Sequence, residues 1–405
     1  MRSESILGVS LLLTHVALAG TSVITTRLDD PSAVYLTELA LSLHADGKTD
    51  DSPAIQAAID KAYAEHQGIV LIPSGRYAVA NTVYVKAGVR LFGFGSTRPV
   101  FVLPANSPGF QKGMGVMLMF VGARPGGAYD RGSRVPVPPP GTVPPKEVPD
   151  ANSGTFYSSM SNIDFEIGAG NPAAVAIRFH MAQHAFLTHM DFHLGSALAG
   201  VYQVGNEAED LHFFGGRYGI LTEKTSPAWQ FTLLDSTFDG QRDAAIREHE
   251  AQLTLIHDSF KDVPVAIDID PNYYDQLWVK DCRFENISRA AVIISSEKSR
   301  LNEIGFENAV LVSAPVFALF RESGKKLEAK GRIYHVKEFN QGIIVPAPGQ
   351  MGEIGMRYEA TELAVEPPPS PVSIRRLPPC GDWVNVRTLG VAGDGKTDDT
   401  ASLQN

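Results

Sequence analysis

Gly215, Asp235, His257 and Asp281 each stand three residues ahead of an aromatic, respectively Tyr218, Phe238, Phe260 and Phe284. The steps between those aromatics are 20, 22 and 24 residues, so the four positions form a column if each step is one coil of a stacked structure. Neighbouring strands lie about 4.8 Å apart, which sets Asp235 and Asp281 two coils, or roughly 10 Å, apart with His257 between them. That approaches the ~6.5–9.5 Å separation of an inverting glycosidase, in which one carboxylic acid protonates the leaving oxygen and the other carboxylate activates water. The column also has a conformational explanation. A bend between two strands of a coil often needs φ > 0, and Gly, Asp, Asn and His tolerate it; Gly215 in the same column favours the bend.

Aromatic residues supply a second candidate. Trp278 lies between the apolar pair Leu277 and Val279, so strand alternation turns it outward. Tyr273 and Tyr274 fall in the turn just before it. A flat exposed ring can stack on the apolar face of a sugar; a partner surface or a second lobe could equally cover it. Trp229 precedes the strand Phe231-Thr-Leu233 and is less constrained.

The stretch Asp46-Gly47-Lys48-Thr49-Asp50-Asp51 offers carboxylates of the kind Ca²⁺ takes, but no distal bidentate Glu follows at calcium-loop spacing. The Gly-Lys-Thr triplet is no phosphate loop either, since the upstream Gly is missing. The reading adopted is structural: Gly47 makes a tight turn, and Asp50 and Asp51 cap and charge the start of a helix. Cys282 sits in a strand-like pattern and is expected as a free buried thiol; neither it nor Cys380 has metal-type spacing. No metal site is expected.

The elements that must position these residues are short. Ile55, Ala58, Ile59 and Ala62 make one apolar stripe of a helix opened by Ser52 and Pro53. Gly68–Pro73, Tyr77–Val79 and Val89–Gly95 are β-rich runs parted by Gly and Pro. A Pro/Gly-rich stretch over 122–149 reads as a surface loop. From Met160 to about Phe320, apolar residues pair at spacing two in Leu211-His-Phe213, Phe231-Thr-Leu233, Leu253-Thr-Leu255 and Leu277-Trp-Val279. One coil of strands per ~22 residues predicts an all-β fold, a parallel β-helix, with the helix plugging its first coil; the Leu/Asn consensus of leucine-rich repeats is absent.

The whole Asp-Gly-Lys-Thr-Asp-Asp element recurs at 394–399, an offset of 348 that also aligns Gln56 with Gln404. A tandem duplication predicts a domain over 20–365, a linker over 366–383 and the opening of a truncated second β-helix over 384–405. Arg2, the apolar run Ile6–Leu13 and Ala17-Leu18-Ala19 read as a signal peptide over 1–19, cleaved after Ala19. A secreted or periplasmic protein is expected. With 45 Asp plus Glu against 35 Lys plus Arg, the net charge is −10, which argues against a nucleic-acid binder. No later stretch reaches the ~20 apolar residues of a membrane span.

The Asp-Gly-Lys-Thr-Asp-Asp-Ser element, the following Ala-Ile-Gln-Ala-Ala-Ile-Asp helix and the strands Ile72–Tyr77 and Gly88–Gly93 resemble the opening of the pectate lyase superfamily of right-handed parallel β-helices. Two copies in one chain are similar in particular to the tandem β-helix exo-β-1,3-glucanases, glycoside hydrolase family fifty-five. That resemblance implies a polysaccharide substrate such as β-1,3-glucan, no cofactor, and a second lobe C-terminal to this chain that supplies the general acid, so no catalytic residue is carried over. The Asn-Thr-Asp, Asp-Asp, Gly-His-Gly and Arg-Ile-Lys series of polygalacturonases is absent from the coil region, as is the Arg-x-Pro-x-x-Arg of pectate lyases. Three functions follow: glycoside hydrolase, polysaccharide lyase on a pectin-like polymer, which would need Ca²⁺, or a non-catalytic polysaccharide-binding β-helix. Asp235 and Asp281 are the candidate catalytic pair, and Trp278, Tyr273 and Tyr274 the candidate substrate contacts.

Overall fold

Short runs of three to five β-branched and aromatic residues, parted by residues that tolerate a bend, can neither continue straight nor form hairpins. They coil. The computed structural model describes residues 20–39, 41–65, 68–122, 155–223, 230–369, 378 and 380–404; the expected leader 1–19, Trp229 and all but the first residue of the Pro/Gly-rich stretch 122–149 lie outside the described residues. The chain winds as a right-handed parallel β-helix of about nine coils. A typical coil is Phe231–Leu234, Thr237–Asp239 and Ala244–Glu248, and the next is Leu253–Ile256, Ser259–Lys261 and Val265–Ile269. They pair in parallel register, Phe231 with Leu253, Phe238 with Phe260 and Ile246 with Ile267.

Parallel register places like on like, and the interior is a stack. Phe165, Phe192, Phe213, Phe238, Phe260 and Phe284 lie face to face, with successive ring centroids 5.4, 4.8, 4.8, 5.0 and 5.0 Å apart. All six are fully buried. Such offset aromatic pairs add to the free energy of burying their area.

The stack corrects the column read from sequence. Phe213, and not Tyr218, is the partner of Phe238, while Tyr218 opens a strand of the other sheet and pairs with Ala244. Strand Asn206–Gly215 runs unbroken past the point where the next coil has two strands, and it pairs with both of them. The true step is therefore 25 residues, and the column position in this coil belongs to Asp210 rather than Gly215.

The helix Ser52–Ala64 buries Ile55, Ala58, Ile59 and Ala62 completely. Of the two aspartates expected to cap its N-terminus, only Asp50 bonds to a helix amide. The buried Asp51 carboxylate turns upstream and accepts from the amides of His44 and Ala45, at 2.8 and 3.0 Å; Asp50 accepts from the amide of Ser52 at 3.0 Å and that of Ala80 at 3.2 Å. Asp46 accepts from the amides of Lys48 and Thr49 and from the Thr49 hydroxyl. The bonds from Thr49 and Lys48 lower its pKa to about 2. The second copy repeats this set: Asp394 accepts from Lys396 and Thr397, Asp399 from Ala392 and Gly393, and Asp398 from Thr400. Gly47 and Gly395 take φ of 70° and 68°.

At the far end the parallel pattern stops. Strand Ile333–Ile344 returns antiparallel to Glu303–Val312, and Glu353–Glu362 pairs antiparallel with it. A returning hairpin covers the last parallel edge, which would otherwise be open to pairing with another chain.

Candidate functional site

The bend between the first two strands of each coil carries a ladder of polar residues. Asn162, His189, Asp210, Asp235, His257, Asp281 and Asn308 have φ of 62°, 57°, 56°, 52°, 66°, 55° and 55°. Left-handed backbone of this kind selects Asn, Asp and His among non-glycine residues, so the conformational reading of the column is correct for the backbone. The side chains then interact from coil to coil. His189 Nδ1 lies 2.8 Å from Asp210 Oδ2, His257 Nδ1 2.7 Å from Asp235 Oδ1, and Asn308 Nδ2 donates to Asp281 Oδ1 at 2.5 Å. His335 Nε2 meets Asn308 Oδ1 at 2.7 Å. Burial opposes charge on Asp210, but hydrogen bonds from His189 and His212 prevail and bring its pKa down to about 2.

Asp235, His257 and Asp281 line one groove of about 970 Å³, together with Arg283 and Glu285. Pro367, Pro368 and Pro369 form part of its wall; Arg283 donates to the Pro367 carbonyl at 3.1 Å and pairs with Glu366. A second groove of about 680 Å³ holds Trp278, Lys280, Asp281, Asn308, His335 and Asn340. Asp281 and Asn308 line both, so the two grooves share a wall. Trp278 is 42% exposed between Leu277 and Val279, both buried, as strand alternation requires.

Tyr273 and Tyr274 are not part of that surface. Tyr273 stacks on His249 at 3.9 Å, and His249 Nδ1 contacts Asp270 at 2.8 Å; Tyr274 bonds to Glu250, which raises its phenol pKa. Neither tyrosine lines either groove. Adjacency in sequence to Trp278 was the only signal for them, and the turn before the strand carries them elsewhere.

Sequence reasoning missed Asp210 and His189, which stand three residues ahead of Phe213 and Phe192, Asn308, which stands three ahead of Leu311, the partner of Phe284, and Asp258. Asp258 follows His257, turns inward and is fully buried; its Oδ1 accepts from the amide of Ser236 at 2.8 Å. Burial, with Asp235 adding to it, holds its carboxyl well above the carboxylate range. The folded chain therefore keeps a proton that the unfolded chain releases above about pH 4, and stability falls as pH rises from there. Asp258→Asn is expected to raise the melting temperature at pH 7, with the gain shrinking toward pH 4, as calorimetry across that range would read. Cys282 is the next rung inward, buried and free, its thiol pushed well up by burial.

Residues 40–289 match the family described as rhamnogalacturonase A/epimerase, pectate lyase-like. Over 65 residues the chain is 46% identical to mannuronan C5-epimerase AlgE3 of Azotobacter vinelandii, a stretch that is 14% of this chain and 4% of that protein. Alginate lyase 7 of the same organism is 42% identical over 65 residues, 14% of this chain and 8% of that protein. The chain thus spans a small part of the curated relatives it matches. The structure of PfbA, a surface protein and adhesin of Streptococcus pneumoniae, shares 14% identity at a TM-score of 0.40, covering 71% of this chain and 77% of that one.

Proposed function

The chain belongs to the rhamnogalacturonase A/epimerase, pectate-lyase-like family, and we propose that it is a secreted polysaccharide-cleaving β-helix that hydrolyses a glycan such as β-1,3-glucan. The observation that carries this reading is the groove in which Asp235, His257 and Asp281 occupy successive coils. In an inverting hydrolysis one carboxyl protonates the leaving oxygen, and the other deprotonates the water that attacks from the opposite face of the ring. Two coil steps hold the pair roughly 10 Å apart, which leaves room for that water. The second groove continues the binding surface, and Trp278 offers the face on which a sugar ring stacks. A second β-helix lobe joined C-terminally, in keeping with the repeated opening at 394–399, would complete the cleft from the other side. The reaction calls for no cofactor.

The test is product chemistry on laminarin, polygalacturonan and alginate. Hydrolysis gives new reducing ends without ultraviolet absorbance. Unsaturated, absorbing ends would replace this reading with a Ca²⁺-dependent lyase on an acidic polymer, and retention of polymer without products would leave a binding module. Trp278→Ala is expected to weaken retention on laminarin affinity gels about tenfold, a loss of ~1.4 kcal/mol within the range for one stacked ring, with little change in melting temperature. Unchanged retention would remove Trp278 from the binding surface.

A further inference from the structure

The residue that follows the expected leader reaches a cluster of buried charged side chains. Gly20 donates its backbone N–H to Asp164 Oδ2 at 2.7 Å. Asp164 is 1% exposed and shares Arg98 with Asp191, at 3.1 and 3.0 Å; Asp210 lies 3.7 Å from the same guanidinium. Among the described residues, Arg98 is the cation paired with Asp164 and Asp191, while His189 and His212 contact Asp210. Two carboxylates beside one cation leave a charge uncompensated, and burial together with Asp191 holds the Asp164 carboxyl above its ordinary range despite Arg98.

The seat is tight, and any larger residue would have to push the Arg98 guanidinium aside. A Cβ on Gly20 would lie 2.8 Å from Arg98 Nη1 and 3.0 Å from Asp191 Oδ2. The following residues are fixed across the start of the polar ladder. Val23 donates to Asn162 Oδ1 at 3.0 Å, Asn162 Nδ2 donates to Ser22 Oγ at 2.8 Å, and Arg98 Nε donates to the Thr21 carbonyl at 3.1 Å.

We propose that Ala19–Gly20 is the processing site and that the new α-ammonium group of Gly20 docks on Asp164 and Asp191 as the second cation of this cluster. The step is hydrolysis of one peptide bond by a signal peptidase: water adds to the Ala19 carbonyl, the Ala19–Gly20 C–N bond breaks, and the freed amine takes a proton. The docked amine turns a buried charge deficit into a closed network, so the processed chain is the stable one. This rests on the secretion reading.

Two chains test it, one beginning at Gly20 and one at Ala17, in which Gly20 keeps its N–H but carries no charge. The α-amine's ordinary pKa is about 7.7–8.0. Pairing with Asp164 raises it in the folded chain, so the stabilisation is complete below about pH 7.7 and is lost as pH rises through the folded value. The Gly20 chain is expected to melt at least about 2 °C above the Ala17 chain at pH 7.5, with the gap closing by pH 10 and absent from an Asp164→Asn pair. The other groups that face the cluster, Asp191, Asp210, His189, His212 and Arg98, are the same in both chains and cancel from the difference. Equal melting temperatures, or a gap that persists at pH 10, overturn the docked ammonium. N-terminal sequencing of the secreted protein is expected to start at Gly20; another start overturns the processing site. Retention of uncut protein in the cell would sink secretion, while the two melting curves still decide whether an ammonium group docks there.

Discussion

Asp235→Asn and Asp281→Asn are each expected to slow laminarin hydrolysis by about 10²–10⁴-fold, the usual worth of a positioned acid or base, with melting temperatures within about 1 °C of the parent. The separation of activity from stability follows from the bend. Asn tolerates φ near 55° at least as well as Asp, and Asn308 already occupies the same column at that angle. The amide oxygen introduced by Asp281→Asn can still accept from Asn308 Nδ2, and the one introduced by Asp235→Asn can still meet His257 Nδ1, so the ladder survives the loss of charge. Full hydrolysis in either variant would make that aspartate a bend residue alone. Initial rates from reducing-end release, read beside calorimetry on the same samples, decide it.

Arg98→Ala is expected to destabilise the chain by about 3–5 kcal/mol at pH 7, the cost of leaving buried charge without its partner. Arg98 is 6% exposed and reaches Asp164, Asp191 and Asp210; Asp210 keeps His189 and His212, but removing Arg98 leaves the buried Asp164, 1% exposed, without a cation among the described residues. The loss should shrink as pH falls, because Asp164, whose carboxyl burial and Asp191 hold above its ordinary range, takes a proton and no longer needs a cation. Urea unfolding at pH 7 and pH 4 measures both. An equal loss at the two pH values would assign the effect to packing of the guanidinium and not to its charge.

The architecture was legible because the coil repeat writes itself into the chain as apolar pairs at spacing two with aromatics at the next strand. Local patterning was enough for the helix stripe of Ile55, Ala58, Ile59 and Ala62 and for the outward Trp278. Register was harder. Tyr218 stands 20 residues before Phe238 and so mimics a coil step, while the true partner Phe213 stands 25 before it; only the pairing of Asn206–Gly215 with two successive strands separates them. The capping of Ser52–Ala64 was misread for a related reason. Asp51 sits where a capping side chain would, but its carboxylate bonds to the amides of His44 and Ala45 and to none in the helix. Tyr273 and Tyr274 line neither groove, because a turn discards the alternation that fixes direction within a strand. In the antiparallel hairpin 333–362 Phe339 stands opposite Phe306 and Tyr358, but at sequence separations unlike the coil step, so nothing in the coil repeat announces where it ends.

The Asp-Gly-Lys-Thr-Asp-Asp element assembles the same hydrogen bonds at 46–51, where its helix is packed against the first coil, and at 394–399, where the helix Thr400–Gln404 buries nothing. Its geometry is thus a property of nine consecutive residues, 44–52 in the first copy and 392–400 in the second. A coil, by contrast, has no partner for its strands until a neighbouring coil exists, and growth by nearest-neighbour stacking needs a first template. An element that closes on itself ahead of the first coil can supply that template, from which winding would add coils toward the C-terminus. The slow search for distant strand pairs that burdens other all-β chains would then reduce to the addition of one ~22-residue coil at a time.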